Sequence, residues 1–201
     1  HEIRNPLAAI VQANELLAGS DLDQQQRLSQ MIAKQALRID CIIQDTLNMV
    51  RNKETYPTQL QLNQFIPTFL QEDLSDVAQQ INYNIQDKMA ITFDEAQLRQ
   101  ILINLLRNAI RHNAPAHAKI ELNIYAHESN VRIDVRDFGS GVASQDLAYL
   151  FQPFFSTEIT GTGLGLYLSR SFCEANQAEL SYVEQKQGAC FRIECPHVAL
   201  N

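Results

Sequence analysis

Asn104-Leu-Leu-Arg-Asn108 and Asp137-Phe-Gly139-Ser-Gly141 are the strings on which the fold of this chain turns. Phe151-Gln-Pro-Phe-Phe155 and Gly161-Thr-Gly163-Leu-Gly165 follow them in order. The first string lies in a helix predicted to run from its cap, Asp94, to about His112. Leu98, Ile101, Leu102, Leu105, Leu106 and Ala109 give that helix a wide core-facing stripe. Gln100, Asn104, Asn108 and Arg111 form a second, polar stripe along its edge. A polar stripe is commonly just a solvated face. Amides lower helix propensity, however, so two in mid-helix beside an arginine invite a ligand.

Around this helix the pattern changes period from three or four to two. Ile120/Leu122/Ile124 and Val131/Ile133/Val135 alternate with polar residues, and a four-residue connection makes the pair a hairpin. Asp137 ends the second strand, and Gly139 and Gly141 allow positive φ and close ligand approach. Residues 151–162 hold three aromatics and no lysine or arginine, which reads as a mobile lid. Gly161, Gly163 and Gly165 lead into a helix from Leu166 to Asn176, whose amino-terminal N–H groups suit phosphate. Upstream, Leu60 and Leu62 read as a short strand, and Asn63–Gln80 as a helix with Pro67 near its start. Ile81–Ile85 and Ala90–Phe93 read as strands. Glu179–Val183 and Cys190–Glu194 are expected to close the sheet as its final edge.

The first fifty residues are helical throughout. Ile3, Leu7, Ile10 and Leu17 form a narrow seam; Gly19-Ser-Asp21 breaks it, and Asp21 caps a second helix from about Leu22 to Asn52. The second seam is Leu28, Ile32, Ile39, Ile42/Ile43, Thr46 and Met49/Val50. Two helices with one seam each cannot bury both faces, so a homodimeric four-helix bundle is expected. At about 100° per residue, His1 and Asn5 lie roughly 40° apart on the side away from the seam. Pro6 removes a backbone donor just after them. The polar, proline-containing stretch from Lys53 to Thr58 places the domain boundary near residue 55, giving domains 1–55 and 56–201.

Bulk properties set limits. With 201 residues there is room for one large or two modest domains. A net charge of −7 argues against a nucleic-acid platform, so no direct nucleic-acid contact is expected. No apolar run has membrane-spanning length. The four cysteines form no C-x-x-C pair and the five histidines show no zinc spacing, so buried, reduced thiols are expected. A start at His1 inside a helix reads as part of a longer protein. Such a start is expected to weaken dimerisation of the hairpin until about three upstream turns are restored.

Together the four strings resemble the N, G1, F and G2 boxes of the histidine-kinase ATPase domain. His1-Glu-Ile-Arg-Asn5-Pro resembles the H box of the same kinases. The resemblance covers nearly the whole chain. It implies a helical hairpin, forming a dimeric four-helix bundle, followed by an α/β sandwich of the GHKL (Bergerat) type. It implies transfer of the γ-phosphate of Mg-ATP to His1, and then to an aspartate in the receiver domain of a response regulator. On that pattern Glu2 holds or deprotonates the other ring nitrogen of His1, and Asn5 positions water for dephosphorylating the partner. Asn108 binds Mg²⁺ through its oxygen, Asn104 supports the phosphate–metal region, and Arg111 and His112 contact phosphates. Asp137 accepts from the adenine amino group, with Gly139 and Gly141 beside it. Phe151, Gly161, Thr162, Gly163, Leu164 and Gly165 complete the ATP site.

Three departures from the pattern stand out. Gln100 replaces the glutamate base of relatives that hydrolyse ATP with water, which fits transfer to histidine better. Glu158 stands where many kinases carry a lid lysine, and Ala189 replaces a frequent threonine. The run Gly165–Arg170, with Glu174–Gln177 and Cys190–Ile193, is similar to the PilS-like sensor kinases of the type IV pilus system. That likeness implies an NtrC-like regulator as partner. It also implies an upstream membrane segment, making this chain the cytoplasmic portion of an inner-membrane sensor. The competing readings are an ATP-driven clamp of the gyrase or mismatch-repair kind and a non-catalytic ATP-sensing scaffold.

Overall fold

The structure is a computed structural model, and it describes residues 3–51, 54–86, 88–115, 119–158 and 161–198. The chain divides into two compact units. One comprises His1–Lys53 with Gln152–Leu164, the other Glu54–Phe151 with Gly165–Asn201.

In the first unit, α1 (Arg4–Leu17) packs along α2 (Leu22–Arg51). The turn is fixed by side chains. The hydroxyl of Ser20 donates to the Leu16 carbonyl at 2.6 Å, and Asp21 Oδ1 accepts from the Gln24 N–H at 2.9 Å. The aspartate thereby satisfies one of the orphan donors that open α2. Ala13 is buried in the hairpin, but Ile3, Leu7 and Val11, spaced four apart, remain exposed. Met31, Leu37, Ile43 and Leu47 of α2 are exposed as well.

The second unit is built on seven described strands. They are β1 (Thr58–Gln61), β2 (Ile81–Ile85), β3 (Ala90–Phe93), β4 (Ile120–His127), β5 (Asn130–Arg136), β6 (Glu179–Val183) and β7 (Cys190–Val198). Their order is β1-β3-β7-β5-β4-β2, with β6 also on β7. β2 and β4 run parallel; every other pair is antiparallel. Helices α3 (Leu62–Asp73), α4 (Glu95–His112) and α5 (Gly165–Ala175) supply the second layer. Leu98, Ile101, Leu102, Leu105 and Leu106 of α4 are fully buried, as are Leu122 of β4, Val131 and Ile133 of β5, and Ile193 of β7. Each such side chain contributes about 1.5–3 kcal/mol relative to an exposed position. The opposite face of the sheet is polar. Arg192 donates to both carboxylate oxygens of Asp134 at 2.8 Å, and Arg132 donates to Glu194 at 2.7 Å.

Four local expectations change. The α3 helix stops at Asp73 rather than Gln80, because Leu74 leaves the helical region (φ −132°, ψ 26°) and is fully buried; a short 3-10 turn covers Ala78–Gln80. Leu62 opens α3 instead of extending β1. The β4–β5 connection is two residues, not four, since His127 pairs with Asn130 and Glu128 takes a positive φ of 54°. Finally, β7 is interior rather than the final edge. It pairs with β5 along one side, and with β6 and β3 at successive stretches of the other.

Candidate nucleotide site

The site in the second unit starts from the way α4 is pinned. Asp94 caps it, its Oδ1 accepting from the Gln97 N–H at 3.1 Å, and its Oδ2 accepts from the Tyr56 N–H at 2.9 Å. Asn176, buried at the end of α5, accepts from the Asp94 N–H at 2.7 Å and donates to Gln97 Oε1 at 2.7 Å. The amino end of α4 is therefore locked to the carboxyl end of α5.

Along the polar stripe, Asn104 and Asn108 are half-buried and Arg111 and His112 exposed. Nδ2 of Asn104 donates to Ser169 Oγ at 2.9 Å, and Nδ2 of Asn108 donates to Asn104 Oδ1 at 3.4 Å. The carboxamide oxygen of Asn108 accepts from no described residue. Gly165 makes room for this arrangement: a Cβ there would lie 2.2 Å from Asn104 Oδ1.

The carboxyl end of α4 meets the loop after β5. A Cβ on Gly139 would fall 1.9 Å from the His112 carbonyl oxygen, so only glycine fits. Asn113 Oδ1 accepts from the Phe138 N–H at 3.0 Å. Asp137 itself is 4% exposed. Its Oδ1 accepts from the Gly139 N–H at 2.9 Å and the Ala189 N–H at 3.1 Å, while Oδ2 takes no described partner. Gly188, at φ 77°, packs on the Asp137 carbonyl, where a Cβ would sit at 1.9 Å. A shallow cavity of about 210 Å³ opens beside Gly139 and Gly141, bounded across by Tyr182 and Gly188. Phe151 stands edge-on to Phe191 at 6.4 Å and beneath the Arg170 guanidinium at 5.3 Å.

The segment Gln152–Leu164 belongs to the other unit and carries Gly161, Thr162, Gly163 and Leu164. Within it, Gly163 (φ 69°) lies against the backbone of Phe154, itself at φ 66°. Thr162 Oγ1 accepts from the Leu164 N–H at 3.3 Å. Asn5 is exposed near the start of α1. The proposed phosphoacceptor His1 and its neighbour Glu2 lie outside the described residues.

Sequence reasoning named the amides, the aspartate and the glycines. It missed Asn113, Ser169 and Gly188, which hold them. Their contacts span 25, 65 and about 50 residues of chain, beyond any local pattern. The buried cysteines offer no second chemistry. Burial raises Cys173 far above its ordinary value, and raises Cys190 and Cys195 to about 12, so none supplies a thiolate near neutral pH.

A buried strand-end carboxylate, glycine-lined on both sides and joined through one helix to a pair of amides, defines a nucleotide-binding α/β domain. The comparisons with known proteins narrow that class. Residues 93–199 match the family described as Histidine kinase-, DNA gyrase B-, and HSP90-like ATPase, and residues 1–55 match the His Kinase A (phospho-acceptor) domain. The chain belongs to the histidine kinase-, DNA gyrase B- and HSP90-like ATPases, in the two-domain arrangement of a sensor histidine kinase core. It is 39% identical over 207 residues to the sensor protein kinase PilS of Pseudomonas aeruginosa, covering 98% of this chain and 39% of the relative. It is 31% identical to the sensor histidine kinase ZraS of Escherichia coli, covering 98% and 43%. The chain thus spans less than half the length of these curated relatives. In fold it is similar to the histidine kinase ThkA, solved in complex with the response regulator TrrA. The TM-score is 0.74 at 22% identity, over 98% of this chain and 59% of that one.

Proposed function

We propose that this chain transfers the γ-phosphate of Mg-ATP to His1, and then onward to an aspartate in the receiver domain of a response regulator. Residues 1–55 form the dimerising phosphotransfer domain and residues 56–201 the ATP-binding domain. The observation that carries the reading is Asp137: one carboxylate oxygen is held by two backbone N–H groups and the other is left for a ligand. The 6-amino group of adenine is the complementary donor, and guanine, with an acceptor oxygen at that position, is disfavoured.

One turn before the carboxyl end of α4, the unengaged oxygen of Asn108 suits a hard cation. Among the described residues no cluster of three His, Cys, Asp or Glu side chains could hold a metal. One amide oxygen plus substrate phosphates is a donor set characteristic of Mg²⁺. When bound, the ion neutralises charge on the phosphates. Asn104 supports Asn108, and Arg111 and His112 face the phosphates from the last turn of α4. Gly139 and Gly141 admit the nucleotide closely, Phe151 borders it, and Gly161, Thr162, Gly163, Leu164 and Gly165 form its glycine-rich cover.

In the transfer, a ring nitrogen of His1 attacks the γ-phosphorus. A P–N bond forms, the bond from that phosphorus to the β–γ bridging oxygen breaks, and ADP departs. Glu2 holds the proton on the other ring nitrogen, keeping a lone pair on the attacking one. A carboxylate oxygen of the regulator then displaces His1 from phosphorus. Asn5 positions water for the reverse duty, hydrolysis of the regulator's acyl phosphate. Positioning and charge stabilisation supply most of the rate enhancement.

The exposed stripe of Ile3, Leu7 and Val11 supports homodimerisation through a four-helix bundle. The likeness to PilS supports an NtrC-like regulator as partner, and a place as the cytoplasmic portion of an inner-membrane sensor. Among the described residues no helix is long and apolar enough to cross a membrane.

The test is incubation with Mg²⁺ and γ-labelled ATP, beside a His1→Gln control. Acid-labile, base-stable label that vanishes with His1 is expected. ATP binding without any label would overturn the kinase reading in favour of an ATP-sensing scaffold, and steady hydrolysis without labelling would favour a clamp.

A further inference from the structure

A carboxamide has two unlike ends, and a divalent cation accepts only one of them. Oxygen ligates Mg²⁺; the amide N–H₂ does not. Something must therefore fix which way the Asn104 and Asn108 amides are turned.

Ser169 is placed to do so. It sits on α5, one turn after Gly165, and is 2% exposed. Its Oγ accepts from Asn104 Nδ2 at 2.9 Å, which commits the N–H₂ end of Asn104 to α5. Asn104 Oδ1 is thereby turned along α4, where it accepts from Asn108 Nδ2 at 3.4 Å. With its nitrogen engaged, Asn108 is left with its oxygen as the unengaged end. The absent side chain at Gly165 keeps the Asn104 amide in the gap between the two helices, since a Cβ there would come within 2.2 Å of its Oδ1. The relay runs serine, amide, amide, and its last atom is the one that a hard cation needs.

We propose that Ser169 is a positioning residue. It sets the orientation of Asn104 and, through it, presents the Asn108 oxygen to Mg²⁺. The proposal rests on the reading of Asn108 as the metal ligand. Ser169 acts through Asn104 and not on the metal, as a residue behind the ligand shell does.

The experiment titrates Mg²⁺ while binding of a fluorescent ATP analogue is followed, with a parallel measurement in EDTA. Ser169→Ala is expected to raise the Mg²⁺ midpoint about tenfold, and to leave binding in EDTA within about twofold of the parent. Asn104→Ala should raise the Mg²⁺ midpoint at least as far, and the double variant should be no worse than Asn104→Ala alone, because both act on one relay. Ser169→Thr keeps the acceptor and should restore the midpoint. Ser169→Cys conserves volume with a weak acceptor and should behave like Ser169→Ala, which keeps the test alive if either partner variant fails to fold. A parental midpoint in Ser169→Ala, while Asn108→Ala abolishes the Mg²⁺ effect, would overturn the proposal. A parental midpoint in Asn108→Ala would instead remove the metal-ligand reading beneath it.

Discussion

Helix α4 and the hairpin helices carry the same amphipathic pattern and meet different ends. In α4 every stripe residue is covered by the sheet: Leu105 is 0% exposed. In α1 part of the stripe stays outside: Leu7 is 51% exposed, while Ile10 and Leu17 are half-buried. Periodicity alone does not separate the two cases, since both satisfy the three-and-four spacing. What separates them is the rest of the chain. Residues 120–136 and 190–198 supply a sheet for α4 to cover, whereas α1 packs along α2 with Ile3, Leu7 and Val11 left exposed. The α/β body buries its stripe within itself, whereas the hairpin leaves apolar side chains exposed.

The sharpest way to break this contrast is to shorten one leucine on each side. Leu105→Ala removes fully buried methyl groups and should destabilise the body by about 2–5 kcal/mol. Leu7→Ala removes methyls that already face water and should change unfolding of the isolated chain by less than about 0.5 kcal/mol. The same variant should still weaken self-association, because it thins the face proposed to pair. Urea denaturation, with sedimentation over a range of concentrations, reads both. Equal losses of folding stability in the two variants would erase the distinction.

A smaller effect separates binding from folding inside the body. Asp137→Asn exchanges an oxygen for an N–H₂ where a carboxylate accepts two backbone N–H bonds and leaves one oxygen free. Loss of a hydrogen bond to a charged group costs about 1.5–3 kcal/mol, so ATP affinity should fall about ten- to a hundredfold. Self-association through the hairpin should be untouched. Titration calorimetry with ATP and with GTP tests this; unchanged ATP affinity would remove Asp137 from the base site.

The two regions also differ in how much of them could be read from the chain. The body's centre was legible because Asp94, the α4 stripe, Asp137 and the flanking glycines are local signals tied to physical needs: a cap, a core face, a close approach. Its periphery was not. The interior place of β7 depends on pairing with β3, β5 and β6, which no two-residue alternation encodes. The tight turn at Glu128 carries a positive φ on a residue that gives no turn signal. Leu74 ends α3 through burial, a tertiary effect invisible to helix periodicity. In the hairpin the cap at Asp21 was readable, while the residues thought to carry the chemistry, His1 and Glu2, lie outside the described part.

The smallest effect comes from the body's polar face, where ion pairs take the place of an apolar stripe. The carboxyl of Glu194 is held below its ordinary value, first by the hydrogen bond from Arg132 at 2.7 Å and then by that from Asn130 at 2.8 Å. Burial works against them and loses. Because the folded value lies below the unfolded one, the unfolded chain binds the extra proton first as pH falls. The stability that Glu194 contributes is therefore complete above the ordinary glutamate range near ~4.3, and drains away as pH drops through the lowered folded value. Glu194→Gln should flatten that part of the acid limb of a stability–pH curve and leave the neutral part parallel to the parent. The side chain is partly solvated, so the change is small and should shrink further in high salt. If Glu194→Gln and the parent lose stability in step below pH ~4, the Arg132–Glu194 pair is only a surface contact, and the polar face draws its order from the core behind it.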